Sequence, residues 1–335
     1  SGITTVDIPD AVTAVPDGKQ TSAKNPVTGS YDTVYQTIFA DCLNLEDVNL
    51  NKVNKIGKYA FVNTISLKSI DLTKVTNISN YAFKGSGLES VDLANVSTVG
   101  TYVFQNCLSL KTVTNLKKTG NYMFSGCIAI ESIDLSGVST LSNSSFSGCT
   151  ALSSITFGAA MTAIPAEAFS GCTALESVTI PGSITTINKK AFNKCLNLGE
   201  ITLSEGVKTI GDNAFDGGCY TSVTIPKSVD SIGQNAFNSS VLASYVVNAE
   251  NKTYSSENGI LYKSGAVAAY PANGAVSEDG TVTLTAVPAQ YAYYNNKNIK
   301  KVILANTITE IPQYAFYGSA VEEIIVSGSL KTIGN

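Results

Sequence analysis

The chain of 335 residues contains no histidine and no tryptophan, and its 22 basic residues are all lysine. Each absence closes off a kind of chemistry. Without histidine there is no imidazole to act as a general base, to activate a serine or cysteine, or to ligate a metal. Without arginine the chain lacks the planar fork that reads phosphate and guanine, so nucleic acid is not an expected partner. No glycine-rich phosphate loop or nucleophile elbow organises a Ser-Lys or carboxylate-pair mechanism, and no catalytic residue, cofactor or metal is expected. Net charge is −4 and thinly spread. No apolar run approaches the roughly 18 residues of a membrane helix, so no membrane span is expected. No leader precedes the repeats in this numbering, and Ser1-Gly2 reads as a mark of processing.

Repetition is what the chain has in quantity. The dipeptide Ala-Phe, or a close relative, places Phe39, Phe61, Phe83, Phe104, Phe124, Phe146, Phe169, Phe192, Phe215 and Phe237 at steps of 20 to 23 residues. Tyr293 and Phe316 continue the register 23 residues apart. A period in this range marks a leucine-rich-type solenoid, whose repeats cannot bury their apolar faces alone. Each repeat opens on L-x-x-V-x-I, as in Leu175/Val178/Ile180 and Leu198/Ile201/Leu203. Residues two apart share a strand face, so Val178 and Ile180 point inward and Thr179 outward. A turn such as Pro181-Gly-Ser183 follows, then an apolar pair such as Ile184/Ile187, then Ala-Phe. Ile164-Pro165-Ala-Glu-Ala168-Phe169 predicts one short helical or 3₁₀ turn there, because proline suits a helix start. Two residues after the aromatic stand Asp41, Asn63, Gly85, Asn106, Gly126, Gly148, Gly171, Gly217, Asn295 and Gly318, a left-handed position; Lys194 and Ser239 depart. The expected fold is a β-rich α/β solenoid, a right-handed leucine-rich-repeat superhelix of about 12 repeats with short parallel strands and short helical or 3₁₀ turns.

The expected organisation has four parts: an N-terminal partial repeat over 1–37 with a polar loop at 16–32, repeats over 38–244, a β-hairpin-like insertion over 245–285, and further repeats over 286–335. The last repeat stops at Asn335 before its Ala-Phe, which implies truncation or an end covered by another molecule.

Seven cysteines fall into the same register. Cys42, Cys107, Cys127, Cys149, Cys172 and Cys195 lie three residues after an aromatic, and Cys219 four after. The slot is shared with Thr64, Ser86, Ser240, Asn296 and Ser319, which predicts a small inward side chain; disulfides or metal binding are the alternative. Candidate ligand surface lies elsewhere. Asp71, Asp92, Asp134, Thr156, Thr179, Thr202 and Thr224 occupy one outward strand column, either a solvated β surface or a recognition face. Tyr245, Tyr254 and Tyr262 cluster where the period breaks, and suit recognition or a structural cover equally. The dense acids Asp212/Asp216 and Glu322-Glu323 have no repeat-interrupting loop beside them to build a glycosidase-like cleft.

The pattern L-x-x-V-x-[IL]-P-x-[SG]-[IV]-x-x-I-x-x-x-A-F-x-x-C resembles that of the BspA-like leucine-rich repeat proteins of bacterial cell surfaces, over nearly the whole chain. Asn251-Lys-Thr-Tyr254 through Gly259-Ile-Leu-Tyr262 and Tyr270-Pro271 resembles the insertion those proteins carry between repeats. The resemblance implies an extracellular or surface-anchored, non-enzymatic protein. It implies a protein partner, host extracellular matrix or bacterial surface protein, with glycan as the alternative. Thiols are then compatible with secretion by an anaerobe.

Overall fold

The structure is a computed structural model and describes residues 2–24 and 31–334. It resolves into two compact units, Ser1–Met161 with Pro165–Ala174, and Thr162–Ile164 with Leu175–Asn335. Each is a β-solenoid built from the same turn.

Most of the L-x-x-V-x-I segments form short parallel strands; 67–72 does not. In the first unit Ser132–Leu135 pairs with Ser154–Phe157, and Ser90–Asp92 with Thr112–Thr114. In the second, Ser177–Ile180 pairs with Glu200–Leu203, and Ser222–Ile225 with Ser244–Val247. Inward residues such as Ile133, Val178 and Ile180 are buried, while their outward neighbours are exposed. The second apolar pair makes two-residue strands. Ala14–Val15, Lys55–Ile56, Asn77–Ile78 and Thr98–Val99 form a parallel sheet in one unit. Ala163–Ile164, Thr186–Ile187, Thr209–Ile210 and Ser231–Ile232 do so in the other.

The Ala-Phe segments correct an expectation. They are turns, and no helix of any kind occurs among the described residues. The reason is a second left-handed position. Besides the residue two after the aromatic, the residue two before it also has positive φ: Tyr59 (60°), Tyr81 (60°), Tyr102 (59°), Tyr122 (56°), Ser144 (55°), Glu167 (58°), Lys190 (57°) and Asn213 (55°). Left-handed backbone at both points interrupts the run of right-handed residues that successive helical bonds need, so single i→i+3 turns form instead, such as Val62 N–H to the Tyr59 carbonyl. Lys194, which departs from the Gly/Asn/Asp pattern, adopts the left-handed state anyway at φ 60°.

The aromatics are the spine of each unit. From Phe39 to Phe169 consecutive rings stack at centroid distances of 5.1 to 5.7 Å. Phe192, Phe215 and Phe237 stack at 5.1 and 5.4 Å. The backbone follows them from turn to turn: Phe61 N–H donates to the Ala82 carbonyl, Phe83 to Val103 and Phe104 to Met123. Strand spacing near 4.8 Å brings equivalent rings into contact, so one sequence position becomes one column.

Two segments depart from the expected layout. The stretch 16–32, read as a polar loop, contributes to an antiparallel hairpin of Lys19–Lys24 with Tyr31–Gln36; its residues 25–30 lie outside the described residues. The sequence of Lys19–Lys24 has no apolar residue larger than Ala23, so the alternation that marks a strand is missing there. The stretch 245–285 is more than a hairpin. Ser244–Val247 is a regular parallel strand, Tyr254–Glu257, Ile260–Lys263 and Ala266–Ala269 form an antiparallel three-stranded sheet, and Thr281–Leu284 returns to parallel pairing with Lys301–Leu304. Tyr270 then takes the aromatic slot, its ring tilted 31° against Tyr293 at 5.4 Å and its N–H donating to the Ala292 carbonyl.

Candidate interaction surfaces

The outward strand column is exposed throughout, but its acids are partly used. Asp71 Oδ1 accepts from Thr73 N–H (2.8 Å), Asp92 Oδ1 from Ala94 N–H (3.0 Å), and Asp134 Oδ1 from Ser136 N–H (2.8 Å). Each carboxylate caps the turn that follows it; Asp92 and Asp134 belong to strands, whereas the segment 67–72 around Asp71, expected as a strand, forms none. Donors to the ionised form hold all three below the usual carboxylate range: chiefly the Asn115 side-chain amide at Asp92, and the Thr73 and Ser136 amides at Asp71 and Asp134. Thr156 stands beside Asp134 in register, Thr179 beside Thr202, and Thr224 beside Val246.

Two of the three tyrosines singled out at the break are buried, which corrects their reading as ligand surface. Tyr245 is 6% exposed and meets the Phe237 ring edge-on at 6.4 Å. It is the first inward residue of a regular strand, so its ring completes the core. Tyr254 is 4% exposed, and its hydroxyl accepts the Ile232 N–H at 2.9 Å. That bond closes the exposed end of the short-strand sheet, where the next turn would otherwise supply a carbonyl. Tyr262 is half-buried, and burial followed by Glu257 raises its phenol.

The cysteine column is a hydrogen-bonding column as well as a packing one. Cys107, Cys127, Cys149 and Cys172 each donate from Sγ to the phenylalanine carbonyl of the preceding turn, Phe83, Phe104, Phe124 and Phe146, at 3.0 to 3.4 Å. Burial pushes the Cys149 thiol up to about 12. Cys219 corrects the register: it is exposed, and the extra residue in Gly217-Gly218 hands the inward place to Tyr220, whose hydroxyl donates to the Phe215 carbonyl at 2.7 Å.

The dense acids are engaged. Asp212 accepts from Gln234 N–H, and Asp216 from the side-chain amides of Asn193 and Asn238. Glu322 pairs with Lys300 at 3.4 Å and Glu323 with Lys301 at 2.9 Å.

A surface that the sequence reading passed over lies two residues before the aromatic spine. Tyr59, Tyr81, Tyr102 and Tyr122 stack at 5.0, 4.7 and 4.7 Å with interplanar angles of 13°, 5° and 3°, and Tyr35 leans on Tyr59 at 5.3 Å. All are half-buried, and no hydroxyl of the four stacked rings finds a protein partner among the described residues. The second unit repeats the motif on a small scale: Tyr291 stacks on Tyr314 at 5.1 Å and Tyr294 on Tyr317 at 5.9 Å. The signal was present as Tyr-x-Phe in four consecutive repeats, Tyr59-Ala-Phe61 to Tyr122-Met-Phe124.

An alternation of short parallel strands and left-handed turns, with an aromatic at a fixed place in the turn, defines a leucine-rich-repeat β-solenoid. The model of the BspA type leucine-rich repeat region matches residues 32–139, 117–244 and 285–335, in six copies, and the chain belongs to that family. No curated protein matches it. Among solved structures, a leucine-rich repeat protein from Bacteroides ovatus is similar over 99% of this chain and 75% of that one, at 20% identity and a TM-score of 0.54. The pneumococcal vaccine antigen PcpA is similar over 64% of this chain and 57% of its own, at 24% identity and TM-score 0.55. A leucine-rich cell surface protein from Faecalibacterium prausnitzii is similar over 98% and 71%, at 20% identity and TM-score 0.52. At these identities the likeness is one of fold. No helix among the described residues is long and apolar enough to cross a membrane.

Proposed function

We propose that the chain is a non-enzymatic protein-binding scaffold of a bacterial cell surface, an adhesin for host matrix or bacterial surface proteins, and that the Tyr59–Tyr122 column is its principal docking face. The backbone at those tyrosines carries the reading. A bulky residue in the left-handed region costs roughly 1–2 kcal/mol relative to glycine or asparagine. Other turns place Ser144, Asn213 or Asn235 at the same position, so the fold itself does not call for an aromatic. Four successive turns nevertheless keep tyrosine there, half-exposed, rigidly stacked and with free hydroxyls. Rigid tyrosines that lose little side-chain entropy are the residues on which protein interfaces concentrate their binding energy.

The same stacking weighs against polysaccharide as the main ligand. Sugar rings lie on aromatic faces, and here the faces are turned on one another, leaving edges and hydroxyls outward. The outward strand positions Asp71, Asp92, Asp134, Thr156, Thr179, Thr202 and Thr224 offer a second, polar face. The family's repeat architecture supports a surface scaffold, and the Faecalibacterium relative is described as a cell surface protein.

The test is capture of purified host matrix proteins by the full chain, with a variant carrying Tyr→Asn at 59, 81, 102 and 122. Asparagine suits the left-handed backbone, so the variant keeps its fold. Loss of capture is expected. Undiminished capture, or selective retention on a glycan array that the variant shares, would sink the reading.

A further inference from the structure

Turn-to-turn hydrogen bonding along the Ala-Phe side follows one rule. At the Phe61, Phe83, Phe104, Phe124, Phe146, Phe192 and Phe215 turns, the amides two before the aromatic, at it, and two after it donate to carbonyls of the next turn. Lys190, Phe192 and Lys194 donate to Asp212, Ala214 and Asp216 at 2.9, 2.7 and 2.7 Å. Asn213, Phe215 and Gly217 donate to Gln234, Ala236 and Asn238 at 2.9, 2.8 and 2.8 Å. The relay then stops. The N–H groups of Asn235, Phe237 and Ser239 have no acceptor among the described residues, although Phe237 and Ser239 are each only 2% exposed. The next aromatic, Tyr270, leans forward on Tyr293 and bonds forward to Ala292. Between the two turns opens a cavity of about 240 Å³, lined by Asn235–Ser239 on one side and Ala268–Tyr270 and Ala292 on the other.

Three successive ladder donors facing a cavity make an unusual site. A buried N–H left without an acceptor costs about 1–3 kcal/mol, so such groups are normally paired. Water fills the cavity when nothing else does. The donors sit on alternate residues of one edge, the repeat at which a polypeptide presents its carbonyls. A pyranose offers no acceptors at that interval. The walls add Tyr254, Tyr291 and Tyr294 with the amides of Gln234 and Gln290, and the only charged lining residue is Lys263, whose Nζ lies 5.6 Å from the Tyr254 ring centre.

We propose that this cleft binds a short peptide of neutral to acidic character, shaped like one repeat turn, whose alternate carbonyls accept from Asn235, Phe237 and Ser239. The site is separate from the tyrosine column and does not depend on it. The apolar floor of Phe237 and Leu242 receives the side chain that the missing turn would have contributed.

A direct probe is the acetylated, amidated heptapeptide with the sequence of Gly211–Gly217, since the Asp212, Ala214 and Asp216 carbonyls accept the equivalent bonds one turn earlier. Residue-resolved amide exchange and titration are followed on the full chain. In the free chain, Asn235, Phe237 and Ser239 should exchange much faster than Asn213, Phe215 and Gly217. The heptapeptide should bind saturably and slow those three amides by about tenfold or more. Lys263→Glu should weaken it about fivefold while sparing the peptide with both aspartates changed to asparagine. Ala289→Trp, at an exposed cleft wall, should block both peptides. Slow exchange of the three amides in the free chain would overturn the proposal. So would peptide binding without their protection, or protection by an N-acetylglucosamine oligosaccharide and not by the peptide.

Discussion

The buried phenylalanine column and the tyrosine column two residues upstream ride on the same turns, at nearly the same spacing, with opposite outcomes. Phe83, Phe104 and Phe124 are fully buried, whereas Tyr81, Tyr102 and Tyr122 are half-exposed beside them. The inner rings remove apolar area from water and sit on backbone that any turn needs. The outer rings occupy left-handed backbone that tyrosine disfavours, and their contacts return about what that conformation costs. One column is therefore a product of folding, and the other is the one we propose for docking.

The sharpest test of the contrast is Phe104→Ala. Its ring lies between Phe83 at 5.4 Å and Phe124 at 5.5 Å, and truncation should lower stability by about 3–5 kcal/mol in urea unfolding, because a cavity adds to the lost transfer energy. A loss of under about 1 kcal/mol would mean that the inner column is not the spine. The thiols come next. Near neutral pH, iodoacetamide should label Cys219 and leave Cys107, Cys127 and Cys149 untouched until denaturant is added, as read by intact mass. Burial both shields these thiols and, at Cys149, lifts the pKa to about 12, so almost no thiolate is present.

Tyr102→Asn should do far less than Phe104→Ala. It forfeits stacking worth about 0.5–1.5 kcal/mol but relieves a left-handed backbone penalty of about 1–2 kcal/mol, so the urea midpoint should shift by the equivalent of about 1 kcal/mol or less. A large loss would move the outer column from recognition to stability. The smallest effect is expected at Asp92→Ala. The carboxylate is depressed in the fold, so its contribution is present above its ordinary value of 3.8 and disappears as pH falls through the lower folded value. Wild type and variant should differ slightly near neutrality and converge as pH falls below the depressed folded value, an exposed carboxylate being well screened.

Much of this architecture could be read from the sequence, because period, strand alternation and small-residue slots act at fixed offsets. Val178 and Ile180 point inward as the spacing requires, and the glycine and asparagine positions after each aromatic are left-handed. The helical turn was misread because Pro165 is compatible with a helix start, whereas positive φ at Glu167 leaves no trace in residue type. Tyr245 and Tyr254 were misplaced for a related reason. An aromatic at a break in the period reads as surface, while the register of Ser244–Val247 and the need of Ile232 N–H for an acceptor draw both rings inside. The cleft at Asn235–Ser239 depends on hydrogen bonds that fail to form, which residue identity cannot encode.

Left-handed residues on both sides of each aromatic also make the repeat modular. Turn after turn shows the same three donors on one edge, whether the left-handed residue before the aromatic is Tyr81, Ser144 or Lys190. Any copy can thus succeed any other without redesign of the joint. Duplication or deletion of whole units would lengthen or shorten such a coil while leaving each seam intact, and diversity can accumulate in the outward positions at little cost to folding.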